Sequence, residues 1–322
     1  MLIAVLTCAV GAMLRCREGY RFWLLPGWVL LFVAVTLRHN AVAAVFPLLV
    51  YMWYLRNMNT GGGAGTLLRS TAIALLVSLL FLFATSLLER AVDTRRTLFA
   101  ATQLWDLAAI SIDAGEILLP PPTYGPGLTL DDLQQAFAPY ANTTLFERTK
   151  AGMRGPYFAP DHPLNDEIRR AWIAAILGHP GAYLAHRWTL TKALFGRKSR
   201  DWPRGLVFFD GVHQYGDNPP VQGSNNSAHT WFVRLFEAMR DSVLVSAWPY
   251  LGLSLVALVV AWRRRQVADM GPAFAVLMSG LLYAAPLPFI APSAELRYTG
   301  WPCLAALIGT ALVFAASQKK PG

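Results

Sequence analysis

Cysteine is scarce: three in 322 residues, Cys8, Cys16 and Cys303, all in or beside apolar runs. No disulfide framework follows from them, so the long polar stretch in the middle must fold without covalent staples. Familiar catalytic spacings are missing too. The histidines and cysteines form no HExxH, HxxxH or CxxC pattern, so no metal site is expected. No G-x-S-x-G elbow proposes a serine hydrolase. "TGGGAG" at 60–65 lacks the Lys and Ser or Thr of a phosphate-binding loop and reads as a flexible cytoplasmic linker. Charge is low as well, at 15% of residues against 55% hydrophobic, with a mean hydropathy of +0.38. That balance excludes an ordinary soluble enzyme of this length and points to a polytopic membrane protein.

The formal charge of +9 suggests a polyanion partner until the charges are placed along the chain. Residues 89–242 hold 16 basic and 16 acidic side chains, so that region is neutral. The surplus lies in the flanking apolar parts, where it reports topology, and no nucleic-acid partner is expected.

Apolar runs lie at about 1–14, 22–37, 41–55, 71–88, 243–262, 271–290 and 298–317. A spanning helix wants about 20 residues, which the last four runs approach or reach and the first three do not. Arg38, His39 and Asn40 interrupt a stretch, Phe22 to Leu55, that is otherwise uncharged. It is either one long helix with a buried arginine or a hairpin of two short helices turning at Arg-His-Asn. The hairpin is preferred, because it puts Arg15, Arg17, Arg21, Arg56, Arg69, Arg263, Arg264, Arg265, Lys319 and Lys320 on one side, the cytoplasmic one. Arg38 and Arg297 then share the opposite face with residues 89–242. Either Arg38 snorkels at a helix end, or it has a ligand.

The expected architecture is therefore an all-α membrane protein, a polytopic bundle of about six or seven transmembrane helices. It carries one mainly α-helical extracytoplasmic domain. The divisions are 1–88, with the hairpin turn at 38–40, then 89–242 as the outer domain, then 243–322. Within the outer domain, "TLFAATQLWDLAAI" at 97–110 has one apolar face. It either lies along the membrane interface with Trp105 as anchor or packs on the rest of the domain. "PPPTYGPG" at 120–127 is a helix-free connector, and Thr129 with Asp132 opens a short helix. Residues 165–196 read as two helices, Asn165 capping the first and Gly178 ending it, with Gly196 ending the second.

Most outer carboxylates, Glu89, Asp93, Asp106, Asp113 and Glu116 among them, read as solvated or capping acids. His179 and His186 stand about two helical turns apart, but no carboxylate is near them in sequence. The exception is the turn "APSAELRYTGWP" at 291–302, where Glu295, Arg297 and Tyr298 crowd together. An interfacial ion pair with an aromatic belt residue would account for it. A second account joins Arg297 to Arg38, because two guanidiniums at one leaflet surface suit a phosphate.

"VTLRHNAVAAVFPLL", the Trp172…His179-Pro180…Tyr183…Arg187 stretch and Glu295-Leu296-Arg297-Tyr298 together resemble the integral-membrane glycosyltransferases of the GT-C class. The resemblance is to the mannosyltransferase-like and aminoarabinose-transferase-like members, whose corresponding turn reads Lys-Gly-Pro. It implies a multi-pass protein of the bacterial inner membrane that takes sugar from a polyprenyl-phosphate-linked donor to a lipid or glycan acceptor. Donor contacts would come from Arg38, His39, Asn40, Arg297 and Tyr298, and Glu295 or Asp106 would be the catalytic carboxylate. The family's own catalytic acid lies in a first outer loop that would precede residue 1. The resemblance therefore implies a truncated start, a partner subunit supplying that loop, or a non-catalytic envelope-assembly protein. A transporter or flippase of a lipid-linked anion is the alternative, although no internal repeat relates the terminal helix groups.

Overall fold

The computed structural model describes residues 1–57, 63–92, 98–149, 152–153, 162–198, 201–203, 206–208, 226–265 and 269–318. Half of the 60–65 linker, Asp93, Lys319, Lys320 and most of the irregular stretch after Gly196 lie outside them. Among the described residues the fold is all-α, with no strand beyond two isolated bridges. The chain forms two units. The first is Met1–Asp93, Ala247–Pro286 and Thr299–Gly322; the second is Thr94–Ser246 with Leu287–Tyr298. Leu287–Tyr298, which carries most of the 291–302 turn, thus joins the second unit, although it comes roughly 190 positions after that unit begins at Thr94.

Unit 1 contains α1 (Leu2–Arg17), α2 (Leu24–Leu37), α3 (Val42–Asn57), α4 (Ala64–Ala91), α11 (Trp248–Arg264), α12 (Gly271–Ala284) and most of α14 (Leu296–Gln318). Between α4 and α11 the chain makes α5 to α10 of unit 2, and between α12 and α14 the short α13 (Leu287–Ile290). The α2–α3 segment is a hairpin, as the charge pattern predicts. Trp28 stacks on Trp53 at 5.0 Å, and a Cβ on Gly27 would meet the Met52 methyl, so the two helices run antiparallel about residue 40. The same test pairs α12 with α14, where Gly280 lies against Ala305 and Gly309 against Leu277. These close approaches are the small-residue contacts by which helices associate in lipid.

Three stretches among the described residues are long and apolar enough to cross a membrane: Ala64–Ala91, Gly271–Ile290 and Leu296–Gln318. The expected span at 243–262 is shorter than the apolar run that announces it. Its helix starts at Trp248, because Pro249 has no amide to donate and sets the first turn, and Val243–Val245 forms a separate 3-10 turn.

The packing of α4 is the inverse of a soluble helix. Its buried residues are Ser70, Ala74, Ser78 and Thr85, while Leu67, Leu68, Leu75, Leu76, Leu79, Leu80 and Phe83 face outward. Burying the leucines would remove far more apolar area from water than burying serines. An outward face of this composition suits a surrounding medium that is itself hydrocarbon.

Charges separate along unit 1. Arg17 Nε donates to Asp269 Oδ2 at 2.7 Å, joining the end of α1 to the start of α12, and Arg56 ends α3 over Trp53. Arg263 and Arg264 end α11, which packs antiparallel to α12 through Trp262 and Phe274. At the other end of the unit sit the 38–40 turn and Glu89.

Unit 2 is built round α5 (Leu98–Ala114), followed by α6 (Leu130–Ala136), α7 (Thr143–Arg148), α8 (Pro163–Gly178), α9 (Pro180–Phe195) and α10 (Ser227–Met239). The alternative placing α5 on a membrane surface is overturned. Trp105 is fully buried and its Nε1 donates to the Ala138 carbonyl at 3.0 Å, because nearly every position of this helix, not one face, is enclosed. Thr129 Oγ1 does accept from the Asp132 amide. Helix α8 begins two residues before the expected Asn165 cap. His162 caps it instead, its Nδ1 accepting from the Leu164 amide, with Pro163 in the first turn.

Candidate functional site

Arg38 breaks the hairpin. Its backbone is extended, at φ −156° and ψ 119°, and the following His39–Ala41 turn is closed by the Ala41 amide donating to the Arg38 carbonyl at 2.8 Å. The break falls where a polar trio interrupts apolar sequence, and Asn40 favours turns because its side chain competes for local backbone groups. His39 Nε2 lies 2.9 Å from Glu89 Oε1, a half-exposed pair that ties the tip to the end of α4. The first amides of α3 are at the same tip, and a helix start favours an anion.

The 291–302 turn is fixed by backbone. The Asn142 amide donates to the Pro292 carbonyl at 3.1 Å, and the Ala294 amide to the Tyr140 carbonyl at 2.7 Å. Above that seam, Glu295 is held from two directions. Ser293 Oγ donates to its Oε1 at 2.7 Å, Arg297 Nη2 donates to the same oxygen at 2.9 Å, and Arg297 Nε meets Oε2. The guanidinium lies beside the Tyr298 ring, 5.3 Å from its centroid. Glu295 is mostly covered, at 14% side-chain exposure, whereas Arg297 is 55% exposed and keeps donors open to solution.

Asp106 is a different kind of site. It has no exposed surface. Its Oδ2 accepts from Trp172 Nε1 at 2.8 Å and from Arg187 Nη2 at 2.5 Å. His186 Nε2 stands 3.1 Å from Oδ1, close but poorly aligned, which leaves both atoms with unmet hydrogen-bonding capacity. Arg187 Nη1 also donates to the Ala291 carbonyl at 3.0 Å. The Trp105 ring stands edge-on to His186 at 4.5 Å. Burial holds the His186 imidazole below the ordinary histidine range; Asp106 pulls upward and the Arg187 guanidinium adds to the lowering.

The reading of Asp106 as a solvated acid is therefore corrected. Its carboxylate is enclosed, and Oδ2 is held by Trp172 and Arg187, which ties α5 to α8 and α9. Trp172 and Arg187 belong to the stretch that carried the family resemblance. Their convergence on Asp106, with His186, is not visible in local spacing. The carboxylate missing beside the two histidines is supplied from far away in sequence: Asp106 for His186, and Glu116 at 4.0 Å for His179.

Arg38, His39 and Asn40 are carried by unit 1, and Glu295, Arg297 and Tyr298 by unit 2. What fold and site define together, among the described residues, is an all-α protein with three helices long and apolar enough to cross a membrane and two arginine-bearing turns. No known protein family, curated protein or solved structure matches it.

Proposed function

We propose that this chain is a multi-pass inner-membrane protein that binds the phosphate of a polyprenyl-linked sugar and serves its transfer to an acceptor at the extracytoplasmic face. The observation that carries the reading is the α2–α3 hairpin. At about 21 and 24 Å its helices fall short of a 30 Å hydrocarbon core. A hairpin of that length has reason to exist if its tip, with Arg38, must reach a charged headgroup. In this reading α1 to α4, α11, α12 and α14 are the membrane helices, the arginine-rich end is cytoplasmic, and unit 2 is outside. Arg38 at the hairpin tip and Arg297 at the Glu295 turn are each a candidate ligand for an anionic headgroup, and Glu295 is the carboxylate retained for proton transfer.

Binding of polyprenyl phosphate to the purified protein in nanodiscs tests it directly. Arg38→Ala and Arg297→Ala are each expected to weaken binding by about 10- to 100-fold, the worth of a charge-assisted hydrogen bond of about 1.5–3 kcal/mol. Expression should be unchanged in both and melting unchanged in Arg38→Ala, whereas Arg297→Ala, which leaves the covered Glu295 without its guanidinium, is expected to melt lower. Undiminished binding in Arg38→Ala overturns the assignment. Sugar transfer in the same discs separates a transferase from a flippase, which would move the lipid without altering it.

A further inference from the structure

Helix α10, "SAHTWFVRLFEAM", places Ala228, Trp231, Phe232, Leu235 and Met239 on one face by their three- and four-residue spacing, with Thr230, Arg234 and Glu237 on the other. A helix of this kind on a soluble domain turns its apolar face to the core. Here two of its three aromatic side chains point outward, Trp231 at 58% and Phe232 at 52% exposure, packed edge to face on each other, while Phe236 stacks on Phe208. The exposure continues along the chain into Val243 and Leu244, the latter at 63%, and then to Trp248 at the head of α11. Helix α11 itself turns Leu255, Val256 and Val259 outward. By chain length alone, Trp248 is within roughly 30 Å of Met239.

We infer that α10 and the turn after it lie in the interface of a lipid bilayer, with Trp231, Phe232 and Leu244 inserted at the headgroup boundary. This rests on the reading that unit 1 crosses a membrane. The occupant is lipid because the exposed apolar strip is continuous in sequence with an outward-facing apolar helix of the membrane unit. A tryptophan-bearing amphipathic helix beside such a helix is the usual form of an interfacial anchor. Glu237 pairs with Arg240, and residues 227–242 carry two arginines, Arg234 and Arg240, against Glu237 and Asp241, so insertion of apolar side chains, not attraction to anionic lipid, holds the helix down.

The unmodified protein in nanodiscs, with phosphatidylcholine carrying a photoactivatable group, tests this. One probe places the group near the headgroup and another near the end of the acyl chain, and adducts are mapped by mass spectrometry. The shallow probe is expected to label Trp231, Phe232 and Leu244. The deep probe should label Leu76, Leu79 and Leu80 of α4 and leave α10 untouched. Labelled α4 with no adduct on α10 from either probe overturns the inference while leaving unit 1 in the membrane. Absence of label on α4 overturns the membrane reading beneath it, and the inference with it. Equal labelling with and without phosphatidylglycerol is expected; adducts that require the anionic lipid would overturn insertion in favour of electrostatic adsorption.

Discussion

Asp106, Arg187 and His186 are the residues on which the second unit most depends. An ion pair this enclosed adds little over a well-packed apolar pair, but removing one partner strands the other charge away from water. Arg187→Leu is therefore expected to destabilise the protein by about 3–5 kcal/mol, and Asp106→Leu combined with Arg187→Leu to recover part of that loss. Differential scanning fluorimetry in detergent measures both. His186 gives a pH dependence whose sign is fixed. Its folded-state pKa lies below the unfolded value of about 6.5, so the unfolded chain binds the extra proton first and stability falls as pH drops below about 6.5. Melting temperatures at pH 7.5 and 5.5 should differ less in His186→Gln than in the native protein, where roughly the full linkage applies. Sequence reading reached Arg38 because three polar residues in an apolar run are a local signal. It missed the enclosure of Asp106 because that carboxylate's partners are 66 and 81 positions away. A periodic apolar face marks a helix as partly buried; it does not say how many neighbours will cover the rest.

Helix pairs in unit 1 depend on where glycine sits. A Cβ on Gly280 would lie 2.7 Å from the Ala305 Cβ and 3.4 Å from the Pro302 backbone, neither of which can swing aside. Gly280→Val is expected to cost about 1–3 kcal/mol by overpacking. Gly11, which has open space around it, should accept alanine without loss, and comparing the two melting temperatures checks the contrast. Most helices were legible: the apolar runs anticipate α1 to α4, α12 and α14, and the capping residues anticipate α6 and α9. The late start of α11 was less so, because hydropathy counts Val243–Val245 as apolar without registering that Pro249 sets the helix start.

The inverted surface of α4 bears on how the chain as a whole meets its surroundings. With leucine outside and serine inside, the middle of that helix should tolerate no charge. Leu79→Arg is expected to reduce membrane insertion by about 2.5–3.5 kcal/mol on translocon scales. A glycosylation-based insertion assay reads that loss directly; undiminished insertion would mean Leu79 does not face lipid. The alternation of long apolar runs with one neutral polar block divides the chain at 1–88, 89–242 and 243–322, whereas the structure clusters it into two units. What it could not show is that Leu287–Tyr298 belongs with the polar block, since backbone pairing to residues 140–142 leaves no compositional trace.

That late-arriving segment also imposes an order on biosynthesis. The carbonyls of Ala291 and Pro292, which Arg187 and Asn142 require, emerge from the ribosome only after α11 and α12 have been made. At about 5–20 residues per second, Thr94–Ser246 would wait roughly 3 to 10 s with its seam open. Helices α11 and α12 are therefore already translated before unit 2 can close, and a nascent chain arrested before Leu287 should remain open to protease there.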